Sequence, residues 1–155
     1  MARTERVIPV DLGVVWEPNV QDPWLVHHLS TAALVLNPHF DDPNPSPLVL
    51  VWRYCWGAVL EPVDDDTIWG HRLWNAGLKD CLWAGEVINS SWIGTFDLPG
   101  RSRRRPRSGA WTIKRHFVLR LKEATFEVIA ESFEVARPES DSFAFAAQSV
   151  LTHRI

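Results

Sequence analysis

The chain has 155 residues, of which 46% are hydrophobic and 23% are charged, and these values are typical of one globular domain. They exclude a disordered chain, a collagen-like chain and, with only two cysteines, a disulfide scaffold. The net charge of −3 hides an asymmetry, because residues 1–100 carry 5 basic and 13 acidic side chains whereas residues 101–155 carry 11 and 6.

Short apolar runs separated by Pro, Gly and Asp turns define the predicted elements. In the first half of the chain they are a bent strand over 6–16, an undecided helix or strand over 23–36, a flexible loop over 37–47, two strands over 48–62 that bend at Gly57, and an irregular stretch over 67–78. In the second half they are a strand over 82–88, a short helix over 90–96 with Asn89 as its N-cap, a flexible loop over 99–109, a hairpin over 111–135, and an undecided helix or strand over 142–155. Together they predict a single α+β domain dominated by antiparallel β structure, in a curved sheet or partly closed barrel with one or two short helices.

The clearest pattern is the alternation of apolar and polar residues over 111–135, which predicts a β-hairpin. With a four-residue loop, Arg120 lies opposite Glu127 and His116 lies opposite Glu131, all on one face. Two interpretations of this face stay open. It is either a solvated surface with two cross-strand ion pairs or the lining of a cavity, in which the four side chains bind a ligand or act as acid–base groups.

Nine tryptophans stand against one tyrosine and one methionine. Large aromatic side chains are mostly buried, so a Trp-rich core is one interpretation. Indoles also anchor ligands, so a groove lined by them is the other. The candidate ligand-binding residues are Trp74, Asn89, Trp92, Arg120 and Glu131.

Short motifs with a fixed chemistry are missing from the sequence. There is no His-Glu-x-x-His, paired Cys-x-x-Cys, Walker A or Rossmann glycine pattern, and Ser90-Ser91 lacks the Gly-x-Ser-x-Gly elbow. We therefore expect no cofactor and no metal, while a zinc site assembled from distant residues stays open. Cys55 and Cys81 lie among apolar residues, which favours two buried and inert thiols.

The basic stretch Arg101–Arg107 contains five arginines, which suit phosphate groups. Trp111 is the only aromatic residue near it and residues 1–100 are acidic, so a nucleic-acid partner is disfavoured. The residues after Met1 are polar, and no apolar run reaches the length of a membrane span. We therefore expect neither a signal peptide nor a membrane segment, and a cytoplasmic location.

Four segments resemble a family of uncharacterised bacterial proteins. They are VVWEP (Val14–Pro18), GHRLWNAGL (Gly70–Leu78), EVINSSWI (Glu86–Ile93) and RHFVLRLKEATFEVIAESFEV (Arg115–Val135). The segments cover under a third of the chain, and at the hairpin tip this chain has Lys122-Glu123 where the family has a His-Asp pair. No activity, cofactor or fold is assigned to that family, so the resemblance implies no mechanism.

Three functions from different classes follow from these patterns. The first is a binding or interaction module with an aromatic-lined groove, for an unidentified small molecule or protein. The second is a small enzyme in which His71, Glu86, His116 and Glu127 supply acid–base chemistry, since they lie within or beside the family-like segments. The third is a dimeric structural or inhibitory protein that acts through its acidic face.

Overall fold

A computed structural model describes residues 3–96 and 113–152. The strands within them are β1 (Arg6–Pro9), β2 (Trp24–His28), β3 (Thr31–Leu36), β4 (Leu48–Arg53), β5 (Gly57–Glu61), β6 (Ala84–Ile88), β7 (Arg115–Leu121), β8 (Ala124–Ala130) and β9 (Ser132–Ala136). The helices are α1 (Ser91–Phe96) and α2 (Ser142–Thr152), and two 3₁₀ turns span Ile68–Gly70 and Leu78–Asp80. None of the described helices has the length and apolar character needed to cross a membrane.

The strands form two antiparallel sheets, in the orders β1-β6-β7-β8-β5 and β2-β3-β4-β9. The facing sides of the two sheets share one core. In that core the ring of Trp52 lies 5.2 Å from the ring of Phe117 and 5.9 Å from that of Phe126, measured between centroids. The predicted α+β class with mainly antiparallel β structure is confirmed. The strands form two sheets, and neither sheet closes into a barrel.

The four-stranded sheet is covered on both faces, which explains why β3 and all but the last residue of β4 are buried. Ala146 and Val150 of α2 pack against Val51 on the face away from the shared core. Asp141 begins this helix, because its Oδ1 accepts the backbone N–H of Phe143 at 3.0 Å. Of the two segments predicted as either helix or strand, the one that begins at residue 142 therefore forms a helix, whereas 23–36 forms the strands β2 and β3.

The outer face of the five-stranded sheet is covered in part by the irregular segment 68–81. Leu73 of this segment packs against Val118 of β7. Gly77 has a φ of 126° and lies so close to β1 that an added Cβ would be 2.3 Å from the carbonyl oxygen of Val7. Only glycine tolerates both conditions, so this residue fixes the segment on the sheet.

The hairpin between β7 and β8 is confirmed, but its predicted four-residue loop is wrong. The turn has two residues, and Leu121 pairs with Ala124. Both side chains are buried, so the shorter turn brings more of the hairpin into the core. The cross-strand pairs that this register excludes are Arg120–Glu127 and His116–Glu131.

The new register moves each pairing by two residues, which keeps every side chain on its predicted face. Glu127 lies opposite Val118 and shares the outer face with His116. The second predicted strand of the hairpin breaks at Glu131, where the chain passes from β8 in one sheet to β9 in the other. Glu131 is therefore separated from the face it was predicted to share.

The predicted loop at 37–47 is described throughout and forms neither a helix nor a strand. Arg137 holds it, since its Nη1 donates to Asp42 Oδ2 at 2.7 Å and its Nη2 donates to the carbonyl of Asn44 at 2.6 Å. The other predicted loop, at 99–109, lies outside the described residues together with the arginine-rich stretch.

Candidate functional site

Glu127 is the centre of a polar cluster on the outer face of the five-stranded sheet. Its side chain is only 8% exposed. Its Oε1 accepts hydrogen bonds from His116 Nε2 at 2.9 Å and from Arg72 Nη2 at 2.6 Å. Its Oε2 lies 3.4 Å from His71 Nε2. The hairpin places Glu127 beside His116. His71 and Arg72 directly follow the 3₁₀ turn Ile68–Gly70, which packs on the same face of the sheet.

The carboxyl group of Glu127 is ionised at neutral pH. Burial raises its pKa, but hydrogen bonds from His116 and His71 and the charge of Arg72 lower it by more. The net result is a pKa of about 2, below the ordinary value of 4.5. An ionised carboxylate only accepts hydrogen bonds, so the groups that face it must donate.

The protons of the two histidines follow from their partners. His71 Nδ1 accepts the backbone N–H of Leu73 at 3.1 Å, so the proton of this ring lies on Nε2 and faces Glu127. His116 also turns Nε2 towards Glu127, and that nitrogen carries a proton for the same reason. The Nδ1 of a neutral His116 is therefore an acceptor.

Ser90 completes the cluster on the far side of His116. The Oγ of Ser90 lies 2.7 Å from His116 Nδ1 and accepts the backbone N–H of Ile93 at 3.1 Å. With the ring in its neutral form, Nδ1 accepts and the serine hydroxyl donates to it. A continuous chain of hydrogen bonds thus connects the hydroxyl of Ser90, the imidazole of His116 and the carboxylate of Glu127. A nucleophile, a base and an orienting group follow one another in the same order in catalytic sites.

The turn between β6 and α1 explains the position of Ser90. Asn89 has a φ of 57°, which bends the chain out of the strand just before the helix begins. Ser90 then caps α1 through its contact with Ile93. The prediction that Asn89 caps this helix is therefore wrong, since its side-chain amide donates to the carbonyl of Thr4 at 3.2 Å.

Glu5 connects this helix to the cluster. Its Oε1 accepts the backbone N–H and the hydroxyl of Ser91 at 2.9 and 3.1 Å. Its Oε2 lies 3.3 Å from Arg72 Nη1. Arg72 therefore bridges two carboxylates, those of Glu5 and Glu127, and ties the first turn of α1 to the sheet.

Two grooves open beside Glu127 and Arg72, and both also touch Glu61. The first, which we call the Trp92 groove, has a volume of about 380 Å³ and is lined by Val59, Glu61, Arg72, Ser91, Trp92, Thr95 and Glu127. The second has a volume of about 350 Å³ and is lined by Glu61, Val63, Thr67, Gly70, His71, Arg72 and Glu127. These volumes lie at the lower end of those that hold small ligands.

No protein-family model, curated protein or solved structure matches this chain. The resemblance of four segments to a bacterial family therefore stays a prediction, and the functional argument depends on the geometry of the cluster.

Three of the four predicted catalytic residues come together, namely His71, His116 and Glu127. Glu86 does not join them. Side chains alternate along a strand, and the pairing of β6 with β7 places Glu86 on the opposite face of the sheet from His116. Its carboxylate there accepts hydrogen bonds from Arg115 Nε and Nη2 at 2.9 and 2.8 Å.

Trp92 is the one predicted ligand-binding residue that borders a groove of the cluster. Its ring meets the ring of His116 edge-on, with centroids 5.2 Å apart. Trp74 instead lies under the guanidinium of Arg120, whose Cζ is 5.6 Å from the centroid of the Trp74 ring. The predicted ligand-binding residues that border neither groove are Trp74, Asn89, Arg120 and Glu131.

Sequence patterns missed Ser90 and Arg72. Ser90 lies in no known nucleophile motif, and its only signal is its place at the start of a predicted helix, directly after a predicted strand and its turn. Arg72 directly follows His71, but nothing in the sequence indicates that it reaches Glu127. Within the described part of the chain, no three His, Cys, Asp or Glu side chains are arranged to hold a metal ion.

Proposed function

We propose that this protein is a small enzyme that cleaves an ester or a related activated acyl bond, with Ser90 as the nucleophile and His116 as the general base. The observation that carries the proposal is the pair of contacts made by the His116 ring, 2.7 Å to Ser90 Oγ and 2.9 Å to Glu127 Oε1. Such a set of nucleophile, base and carboxylate recurs on unrelated folds and is recognised by its geometry. Here Nδ1 faces the hydroxyl and Nε2 faces the carboxylate, the reverse of the serine protease arrangement.

The proposed reaction has two acyl-transfer steps. Ser90 Oγ attacks the carbonyl carbon of the substrate while its proton passes to His116 Nδ1, and the bond to the leaving group then breaks as that group takes up the proton. Water next attacks the acyl-serine, again with His116 accepting the proton, and the acid product leaves with the hydroxyl of Ser90 restored. Glu127 stabilises the imidazolium in both steps because it stays ionised.

The neighbouring residues hold the base in one orientation. Trp92 packs edge-on against His116, and Arg72 and His71 fix the carboxylate of Glu127. The Trp92 groove is lined by Ser91 and Trp92, the two residues that follow Ser90, and has room for a small acyl group. This supports a compact substrate.

A test must separate the proposed chemistry from the capping of α1, because Ser90 serves both. Replacing an N-cap serine with alanine costs about 1 kcal/mol, whereas asparagine caps equally well. Ser90→Asn therefore keeps an acceptor for the N–H of Ile93 and a donor for His116 but removes the nucleophile. Ser149→Asn is a matched control, since Ser149 lies on α2 and donates to the carbonyl of Phe145.

The experiment is labelling with a fluorophosphonate probe followed by peptide mass spectrometry. The serine displaces fluoride from phosphorus, so the adduct reports an activated hydroxyl without knowledge of the substrate. We expect one adduct on Ser90 in the wild type and in Ser149→Asn, and none in Ser90→Asn. Glu127→Gln should slow hydrolysis of p-nitrophenyl acetate by about 100-fold or more, because His116 loses the carboxylate that orients the ring and stabilises the imidazolium.

Two outcomes would contradict the proposal. One is a folded wild-type protein that forms no adduct at any probe concentration that labels a known serine hydrolase. The other is an adduct that persists in Ser90→Asn, which would place the reactive group elsewhere.

We further propose, from composition and charge, that the protein acts in the cytoplasm on a small molecule and forms a homodimer. The opposite charges of residues 1–100 and 101–155 support the dimer. Native mass spectrometry would report the mass of the assembly, and a monomer at micromolar concentration would refute the dimer.

A further inference from the structure

A third groove of ligand size lies at the other end of β6 and β7 from Ser90. β6 and β7 run antiparallel, so the residues just before β6 meet the tip of the β7–β8 hairpin. We call this the aromatic groove. Its volume is about 370 Å³, and it is lined by Trp16, Pro18, His39, Phe40, Asp65, Leu82, Trp83, Arg120 and Lys122.

The wall of the aromatic groove is built from rings that contact one another. The ring of Trp83 meets that of Trp16 edge-on with centroids 5.6 Å apart, and the ring of His39 at 6.1 Å. His39 in turn stacks on Phe40 at 4.1 Å. Phe40 and Leu82 are 67% and 74% exposed, so both offer apolar surface to a ligand in this groove. This wall suits a planar apolar group better than water.

The groove also contains cationic groups with unused hydrogen-bonding capacity. Lys122 forms no salt bridge with any residue in the described part of the chain. Arg120 Nε is buried and has no hydrogen-bond acceptor among the same residues. The other guanidinium nitrogens of Arg120 donate to the carbonyl of Cys81 at 3.0 Å and to Asp65 Oδ1 at 3.4 Å. One carboxylate thus stands against two cations, and the groove is left with a net positive charge.

We infer that the aromatic groove binds a small planar aromatic anion, with its ring against Trp83 and Phe40 and its negative group at Lys122. Aromatic pairs add to the burial of apolar area, and a charge at the rim of a groove favours the oppositely charged ligand. This inference is independent of the chemistry proposed at Ser90, since the two sites share no residue.

The test compares two dyes that share the same rings. 1-Anilinonaphthalene-8-sulfonate carries a negative charge, and N-phenyl-1-naphthylamine is the same molecule without the sulfonate. Fluorescence titration of the folded protein should show tighter binding of the sulfonate. Lys122→Met should weaken the sulfonate by about threefold, as expected of a partly exposed ion pair, and leave the neutral dye unchanged. Lys79→Met serves as the matched control, since Lys79 is exposed and lies outside the groove.

The aromatic wall is tested with the same dyes. Trp83→Leu should weaken both by about tenfold, through the loss of one aromatic contact. Trp83 also contacts the core, so Phe40→Ala provides a second variant at an exposed position, with an expected loss of about threefold. Trp24→Leu is the control, because Trp24 is 53% exposed on the other sheet.

Equal affinity for the two dyes, or an unchanged sulfonate affinity in Lys122→Met, would overturn the charge part of the inference. Binding that survives both Trp83→Leu and Phe40→Ala but is lost in Trp24→Leu would place the dye elsewhere and overturn the site.

Discussion

Replacing Glu127 by glutamine removes the carboxylate at the centre of the polar cluster, and the effect of this change on stability depends on pH. The pKa of Glu127 is about 2 in the folded protein against an ordinary value of 4.5. Each pH unit between the two values corresponds to about 1.4 kcal/mol, so the ionised carboxylate stabilises the folded state by about 3 kcal/mol at neutral pH.

The sign of the pH dependence follows from the direction of this pKa change. Because the folded-state pKa is lower than the unfolded one, the stabilisation is complete above pH 4.5 and is lost as the pH falls towards 2. About 2 kcal/mol of it should disappear between pH 5 and pH 3. The stability difference between the wild type and Glu127→Gln should therefore shrink by that amount over the same range.

Urea denaturation at pH 5, 4 and 3, followed by tryptophan fluorescence, measures this difference directly. Glu123→Gln is the control for the loss of one carboxylate, since Glu123 is exposed in the hairpin turn and lies outside the cluster. A difference between the wild type and Glu127→Gln that stays constant from pH 5 to pH 3 would refute the ionised, hydrogen-bonded state on which the cluster depends.

Two further predictions concern packing and the thiols. An added Cβ at Gly57 would lie 2.8 Å from Trp92 Cζ2, so Gly57→Ala should lower the free energy of unfolding by about 2 kcal/mol, a cost that Trp92→Leu should partly relieve in the double variant. Gly70→Ala is the control, because an added Cβ there has no neighbouring atom within 4 Å. It should change the free energy of unfolding by less than about 0.5 kcal/mol. Equal losses of stability in Gly57→Ala and Gly70→Ala, measured by urea titration, would contradict the packing of Gly57 against Trp92. Burial raises the pKa of Cys55 to about 12 and also raises that of Cys81, so both should react with a disulfide reagent at pH 8 only after unfolding; rapid reaction of the native protein would show that they are accessible.

The hairpin shows how far a sequence pattern reaches. The alternation over 111–135 determined which side chains share a face, because that depends only on the period of a strand. It did not determine the register, since the turn residues Lys122-Glu123 carry no glycine or asparagine to mark a two-residue turn. The register followed from burial of Leu121 and Ala124, which is a property of the assembled core.

The catalytic candidates divide in the same way. His116 and Glu127 were predicted to act together because one face of one hairpin carries both, and this part of the site is local. Glu86 was grouped with them without knowledge of how β6 pairs, and the pairing turns it to the other face. Arg72 comes from a segment 55 residues away from Glu127, a contact that no local pattern encodes.

The sequence alone thus determined the class of the fold, the polar face of the hairpin and the burial of both thiols, since each depends on composition or on the period of a single element. Only the tertiary structure brought Ser90 to His116 and arranged Trp83 beside Trp16. These contacts join residues 26 and 67 positions apart in the chain. They exist because two sheets and their connecting segments bury their apolar faces together, and the free energy of that burial belongs to the whole core.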